Sequence, residues 1–193
     1  LGAVPQTTVG YEKRFNWAFD RMPEDQFVQA VLDGQPEPPP YFAEMKRVNK
    51  QGPAFLEHLP PIEHVPNARL AAALEAGTLV VDTRPAEQYA QGHIPGSINL
   101  PLDETFLTWA GWLLPYDRPF GLIVAIERAQ ETTQQLRLIG LDTLAGFWTP
   151  DVITAWAADG DNLATIKRMA PERVRALVER GDVTVLDVRN PSE

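Results

Sequence analysis

The residues of this chain whose types and spacing could support chemistry lie between positions 82 and 96. Asp82 and Arg84 follow the short apolar run 79–81, and His93 lies inside the turn Gly92-His-Ile-Pro-Gly96. Carboxylate and imidazole side chains can transfer protons. Their location would suit that role, because functional groups gather at the carboxyl ends of strands in α/β sheets. The spacing instead favours structural roles: an ion pair that fixes the loop, and a histidine that hydrogen-bonds the backbone of its own turn.

No residue of the sequence is predicted to be catalytic or to bind a metal. The chain contains no cysteine, which excludes disulfides, thiolate metal sites and thiol nucleophiles. Thr132 and Thr133 have no histidine nearby in sequence that could activate them. The histidines lack the spacing of zinc sites, and two of them flank a proline-rich linker. They are His58, His64 and His93.

Length, charge and hydropathy limit the class of protein. The chain has 193 residues and a formal net charge of −9, and this acidity argues against nucleic acid or anionic lipid as a partner. No run approaches the ~20 apolar residues of a membrane span. We therefore expect a cytoplasmic protein without a nucleic-acid or membrane partner. Because the chain starts without Met and stops inside a motif, we expect a fragment of a longer protein.

From residue 67 onward the sequence alternates between short strands and helices. Caps, glycines and hydrophobic spacing mark the boundaries of these elements. The predicted helices are 67–74, 86–90, 105–112 and 131–139, and the predicted strands are 79–81, 98–100, 122–125 and 143–147. This alternation predicts an α/β domain with a mainly parallel sheet.

The first 58 residues have a different character. A helix is predicted over 22–32, with Pro23 in its first turn and Gly34 at its end. The proline-rich run 36–40 predicts a stiff extended connector, and 41–48 could form one or two helical turns. A second cluster of prolines then marks a domain boundary. It consists of Pro60, Pro61 and Pro66.

Part of the sequence recurs near its end. The segment 68–88 and the segment 172–193 share the order helix, glycine, apolar strand, Asp-x-Arg. The paired residues are Asp82 with Asp187, Arg84 with Arg189, and Gly77 with Gly181. This repeat predicts tandem domains. We expect the divisions 1–58, 67–150, a linker over 151–170, and the start of a second domain over 171–193.

The stretch VVDTRPAEQYAQGHIPGSINLPL, residues 80–102, resembles the opening of a rhodanese-type sulfurtransferase domain. The resemblance rests on the Asp-x-Arg pair and the GHIPG turn, and it implies a mainly parallel sheet flanked by helices. It also implies that these residues are structural rather than catalytic. The structural motif comprises Asp82, Arg84, Gly92, His93, Gly96, Asp187 and Arg189.

The same resemblance implies a cysteine after the strand 122–125, followed by a loop that wraps the sulfur. The cysteine slot falls within 124–126, where the sequence has only inert side chains. The following loop contains no glycine, and Glu127 adds negative charge where an anion would sit. Related phosphatases that use a cysteine nucleophile are excluded for the same reason. The degenerate active-site loop consists of Ala125, Ile126, Glu127, Arg128 and Ala129.

The N-terminal segments 8–19 (TVGYEKRFNWAF) and 24–53 resemble the C-terminal tail of metallo-β-lactamase-fold hydrolases. The resemblance is to the glyoxalase II and persulfide dioxygenase group, which has an αββα fold. It implies iron or zinc in an upstream domain, held by an H-x-H-x-D-H motif and acting on a glutathione thioester or persulfide. Since none of those ligands occurs in this chain, we expect no cofactor here.

Together the two resemblances imply a fusion of a metallo-β-lactamase fold with two rhodanese domains. One hypothesis is a non-catalytic rhodanese-like module in thiol or sulfide (persulfide) metabolism, which does not act as an enzyme by itself. A second is that the parent protein is an active persulfide dioxygenase or hydroxyacylglutathione-type hydrolase, with sulfurtransferase activity from the second rhodanese domain. A third is a stand-alone protein-binding module. The expected partners are the upstream and downstream domains, with a homodimer as an alternative assembly.

Overall fold

The computed structural model describes residues 6–35, 38–55 and 58–187. The chain divides into two compact units, Leu1–Pro38 and Pro39–Glu193. We call them the N-terminal unit and the main unit. The main unit begins before the second proline cluster, so it includes residues that we expected to belong to the preceding domain.

The N-terminal unit contains the helices α1 (Val9–Phe15) and α2 (Glu24–Leu32), joined through a 3₁₀ turn. The helix predicted over 22–32 is confirmed, although Pro23 occupies its N-cap. Gly34, with φ of +69°, follows its end as predicted. None of the described residues 6–35 is buried. The exposed apolar side chains include Val9, Tyr11, Phe15, Trp17, Phe19, Phe27, Val28, Val31 and Leu32.

A four-stranded parallel sheet with the strand order β2-β1-β3-β4 lies at the centre of the main unit. Its strands are β1 (Leu79–Asp82), β2 (Ile98–Asn99), β3 (Phe120–Ile123) and β4 (Leu144–Trp148). Val81 of β1 pairs with Ile98 on one side and with Leu122 on the other. The predicted α/β class with a mainly parallel sheet is therefore confirmed.

Helices cover both faces of this sheet. They are α4 (Leu70–Glu75), α5 (Ala86–Gln91), α6 (Phe106–Leu113), α7 (Ile126–Leu138) and α8 (Val152–Ala158). The main unit also contains α3 (Pro40–Gln51) and α9 (Pro171–Glu179), and neither of these two helices has a buried residue. Successive strand residues point to opposite faces. Val81 and Leu122 belong to one core cluster with Phe106 of α6, whereas Val80 and Ile123 belong to the other. Strands buried on both faces are typical of parallel sheets.

The linker predicted over 151–170 is wrong in its first part, where α8 forms. Val152 and Ile153 are buried against Trp148 in the second core cluster. Asn67, which we expected to cap a helix, instead donates from Nδ2 to Oδ2 of Asp151 at 2.9 Å. The apolar pair at the start of α8 explains the difference, because its burial stabilises the helix against the sheet.

Helix α3 differs from the expected connector over 36–40, because Pro40 begins the helix. Proline suits the first helical position, where its missing N–H has no partner to lose. The helix packs against α6, and a Cβ built on Gly111 would lie 2.6 Å from Cδ1 of Tyr41. The tyrosine ring therefore rests directly on the backbone of α6. The rest of the expected connector, residues 36–37, lies outside the described residues.

Replacing Gly111 by alanine is expected to weaken the attachment of α3. The new methyl group would collide with the ring of Tyr41, and overpacking of this kind costs about 1–3 kcal/mol. Chemical denaturation, together with the rate of tryptic cleavage at Lys46 and Lys50, would measure the loss. The control is Thr108→Ala, at an exposed position of the same helix. Equal stability and equal cleavage of both variants would contradict the contact.

Candidate functional site

The carboxyl end of β1 carries a buried ion pair. The Asp82 side chain is fully buried, and Nε of Arg84 donates to both of its oxygens at 3.0 Å. Nη2 of Arg84 donates to Oδ2 of Asp82 at 2.7 Å and to the carbonyl oxygen of Gly92 at 2.8 Å. The predicted ion pair is present, and it connects the end of β1 to the GHIPG turn.

Asn99 completes this connection, although sequence reasoning did not single it out. Its Nδ2 donates to the carbonyl oxygen of Asp82 at 2.8 Å and to that of Arg84 at 2.9 Å. The side chain thereby connects the last residue of β1 to the loop that follows it. The signal in the sequence was an amide within the predicted strand 98–100, which follows the Asp-x-Arg pair and the GHIPG turn.

His93 is held on three sides. Its Nδ1 donates to the carbonyl oxygen of Tyr89 at 2.9 Å, and its ring stacks on that of Tyr89 with centroids 3.8 Å apart. Its backbone exchanges two hydrogen bonds with Ala164, at 3.0 and 2.9 Å. Gly96, with φ of +83°, closes the turn. These contacts fix both the ring and the backbone of His93 within the turn.

Tyr89 supports the same turn from α5. Its hydroxyl donates to the carbonyl oxygen of Ser97 at 2.6 Å. Burial raises the pKa of Tyr89, although the hydrogen bond to Ser97 opposes that rise. The phenol therefore stays neutral and acts as a donor within the turn.

A cleft of about 570 Å³ opens at the carboxyl edge of the sheet. Its walls come from the loops that follow the four strands, next to the point where the strand order reverses between β1 and β3. This is the usual position of binding sites in open α/β sheets. The lining residues are Thr83, Arg84, Pro85, Ala86, Glu87, Gln88, Pro101, Leu102, Asp103, Ala125, Arg128 and Pro150.

The charges around the cleft are balanced and largely engaged. Arg84 is bound by Asp82, and Arg128 forms an exposed ion pair with Glu131 at 2.8 Å. The pKa of Glu87 is lowered by a backbone hydrogen bond and by Arg168 at 2.9 Å. This arrangement supplies little net positive potential for an anion.

A second carboxylate on the wall of the cleft, Asp103, is occupied by its own turn. It accepts hydrogen bonds from the hydroxyl and the backbone N–H of Thr105, at 2.7 and 2.8 Å. The hydroxyl bond is the main reason that the pKa of Asp103 is lowered. The hydroxyl on the wall, that of Thr83, donates to the carbonyl oxygen of Ile123 at 2.8 Å. Neither group is poised as a nucleophile or as a base.

The expected degenerate loop over 125–129 is the start of a helix. Ala125 is the N-cap of α7, and the backbone N–H of Arg128 donates to the carbonyl oxygen of Ala125 at 2.9 Å. Ile126 is 64% exposed, whereas Ala129 is buried. Ala, Glu and Arg favour helices, and no glycine interrupts them, so the helix begins at Ile126, with Glu127 in its first turn, rather than at the predicted 131. A loop that could wrap a sulfur atom is replaced by a helical turn.

The predicted second motif is described only in part. The helix α9 ends before Gly181, which has φ of +74°, just as α4 ends before Gly77, with φ of +78°. Residues 182–187 do not form a strand in the described part of the chain. Arg189 lies outside the described residues, so the pairing of Asp187 with Arg189 stays a prediction.

Two kinds of feature are absent from the described residues. Within residues 6–35, 38–55 and 58–187, no group of three or more His, Asp or Glu side chains could hold a metal ion. No helix in these ranges is long and apolar enough to cross a membrane.

The four-stranded sheet, the buried Asp-x-Arg pair and the GHIPG turn all lie within residues 66–148. Residues 66–148 match the family described as "Rhodanese-like domain", which confirms the resemblance seen in the sequence.

The chain is also similar to a crystal structure of a metallo-beta-lactamase from Staphylococcus aureus subsp. aureus COL. The identity is 37%, the TM-score is 0.56, and the match covers 78% of this chain and 42% of that chain. It therefore extends beyond residues 66–148 of this protein. This supports an arrangement in which a metallo-β-lactamase fold and a rhodanese-like domain share one polypeptide.

Two curated proteins are similar over shorter stretches. An ATP-dependent dethiobiotin synthetase from Pseudescherichia vulneris is 33% identical over 120 residues, which cover 58% of this chain and 49% of that protein. An HTH-type transcriptional regulator from Mycobacterium tuberculosis is 47% identical over 45 residues, covering 23% of this chain and 20% of that protein. The chain thus spans about half or less of the curated relatives that it matches.

Proposed function

We propose that this chain is the non-catalytic rhodanese-like module of a metallo-β-lactamase/rhodanese fusion protein in thiol or sulfide (persulfide) metabolism. One observation carries the proposal: a helical turn begins directly after Ala125, where the resemblance to rhodaneses implies the cysteine and its sulfur-wrapping loop. The cleft remains open at the strand ends, but no thiol in the sequence can accept sulfur.

The module's role is to hold neighbouring domains in place. Support for an upstream metallo-β-lactamase fold comes from the Staphylococcus aureus match and from the resemblance over residues 8–53. Support for a downstream rhodanese domain comes from the repeated order of helix, glycine and apolar run. Iron or zinc would belong to the upstream domain. The described residues here do not fit such a metal, so we derive no step through it.

A second candidate function concerns the parent protein. It would be a metal-dependent persulfide dioxygenase or a hydroxyacylglutathione-type hydrolase, with sulfurtransferase activity from its second rhodanese domain. The match that continues beyond residues 66–148 favours this candidate. Metal analysis and persulfide oxidation assays on the full-length protein would test it, and a full-length protein without bound iron or zinc would rule it out.

The 193-residue chain is expected to show no thiosulfate–cyanide sulfurtransferase turnover above the uncatalysed rate. The Ala125→Cys variant is expected to gain a thiol that reacts with iodoacetamide and still show no turnover. The reason is that the helical turn after Ala125 leaves no loop of backbone N–H groups around the sulfur.

Thr108→Cys is the control, because it places a thiol at an exposed position of α6, away from the cleft. Thiocyanate release and persulfide formation, the latter followed by mass spectrometry, are the measurements. Turnover by the unmodified chain would refute the non-catalytic role. Turnover by Ala125→Cys alone would show that the site lacks only its nucleophile and that the helical turn is no obstacle.

A further inference from the structure

Helix α6 has an apolar face that the described chain leaves uncovered. Of its residues FLTWAGWL, only Thr108 is polar. Phe106 and Ala110 are buried against the sheet, whereas Trp109 and Trp112 are 52% and 39% exposed. A helix that is apolar all round is normally buried on all sides. We call the exposed side, formed by Trp109, Trp112 and Leu113, the tryptophan face.

The surroundings of the tryptophan face resemble a binding surface. A groove of about 300 Å³ lies beside Trp109 and Leu113, and its lining also includes the polar residues Asn99, Asp103 and Thr105. An apolar centre with a polar rim is the usual anatomy of a protein–protein interface. Tryptophan is also among the residues that contribute most to such interfaces.

We propose that the tryptophan face is the docking surface for the metallo-β-lactamase-like body encoded upstream; this inference rests on the proposed function. The first argument is continuity with an interface that is already formed. Helix α3, which enters from the upstream side of the chain, lies on Gly111 through Tyr41. Trp112 is the next residue, about 100° further around the helix. Helix α3, part of the segment that resembles the metallo-β-lactamase tail, therefore already packs beside this face.

The second argument concerns the segment that follows α8, which packs on the other face of the sheet. Leu163 packs in the second core cluster, whereas Phe106 and Ala110 of α6 belong to the first. From there the chain follows α5, where the N–H of Ile166 donates to the carbonyl oxygen of Ala90 at 2.9 Å. Up to Ile166 the chain therefore runs on the side of the sheet opposite to α6, which favours the upstream body as the occupant.

Hydroxyl-radical footprinting with mass spectrometry tests the proposal without any substitution. The 193-residue chain, the same chain with its upstream sequence, and the chain with its downstream sequence would be compared. Oxidation of Trp109 and Trp112 is expected to fall about fivefold in the upstream-extended protein only, since an interface core excludes water. Ile166, 53% exposed beyond the other face of the sheet, is the internal control and should be oxidised equally.

Unchanged oxidation in the upstream-extended protein would overturn the proposal. Protection that appears in the 193-residue chain as its concentration rises would assign the face to a second copy, and would overturn the proposal. Protection by the downstream sequence alone would overturn the proposal as well. In the upstream-extended protein, the double variant Trp109→Gln/Trp112→Gln should speed proteolysis of the segment that precedes α3, and Ile166→Gln should not. Metal content of the same samples reports separately on the proposed function.

Discussion

The Arg84→Ala variant is expected to lose about 3–5 kcal/mol of unfolding free energy, because the carboxylate of Asp82 would remain buried without its partner. Three hydrogen bonds from the guanidinium to Asp82, and a fourth to Gly92, would disappear together. The loss should be visible as a lower denaturation midpoint in urea. A domain of ordinary stability would then be close to unfolding at 37 °C.

Arg128→Ala is the matched control for this experiment. Arg128 also forms an arginine–carboxylate pair, but both side chains are about half exposed, and such pairs contribute only ~0.5 kcal/mol or less. Arg84→Lys should fall between the two, because an ammonium group cannot bind both carboxylate oxygens and a carbonyl in the same geometry. If Arg84→Ala and Arg128→Ala were equally mild, the buried pair would not organise the loop.

The Gly146→Ala variant is expected to be destabilised by about 2–4 kcal/mol, since it combines overpacking with backbone strain. Gly146 lies in β4 with φ of +129°, and a Cβ there would lie 2.4 Å from Cγ2 of Val65 and 3.0 Å from the carbonyl oxygen of Glu63. The segment that it would push away is bonded to β4 through Phe147. Thermal unfolding followed by circular dichroism would measure the loss.

The Gly160→Ala variant separates the cost of backbone strain from the cost of overpacking. Gly160 also has a positive φ, +91°, but a Cβ there would meet nothing within 4 Å. Its replacement should cost only the strain, about 1 kcal/mol. A similar loss at both glycines would show that the contact with Val65 contributes nothing. Adding Val65→Ala to Gly146→Ala should recover part of the loss, because the nearest methyl group is then gone.

The sequence was sufficient to predict the central part of the fold. The strand before Asp82 and the turn around Gly96 were found because glycine, proline and short apolar runs are local signals. The parallel sheet followed from the alternation of strands and helices. The position of the Asp82–Arg84 pair followed from its place at a strand end.

The starts of three helices were predicted wrongly. A family resemblance, a proline or an assumed linker was given more weight than local helix propensity. The residues after Ala125 were assigned to a loop by analogy with active rhodaneses, although Glu127, Arg128 and Ala129 favour a helix. The proline at position 40 was assigned to a connector, although proline is common at the first helical position. The start of α8 was assigned to the linker predicted over 151–170.

The remaining features of the site depend on contacts between distant parts of the chain. The antiparallel pairing of His93 with Ala164 joins two segments that carry no shared sequence signal. The bonds of Asn99 to the carbonyl oxygens of Asp82 and Arg84 require the pairing of β1 with β2. Packing of this kind is set by the tertiary fold and not by local propensity, so a single sequence does not reveal it.

The extended segment after Gly181 has a practical consequence for handling the protein. Val183, Val185 and Leu186 are 38%, 61% and 83% exposed, and in the described residues this stretch joins no ladder of strands. An exposed apolar run rich in β-branched residues adds readily to the sheet edge of another molecule. Solutions of this chain are therefore prone to aggregate through this end as they are concentrated, and a sheet neighbour that pairs with the segment would suppress that tendency.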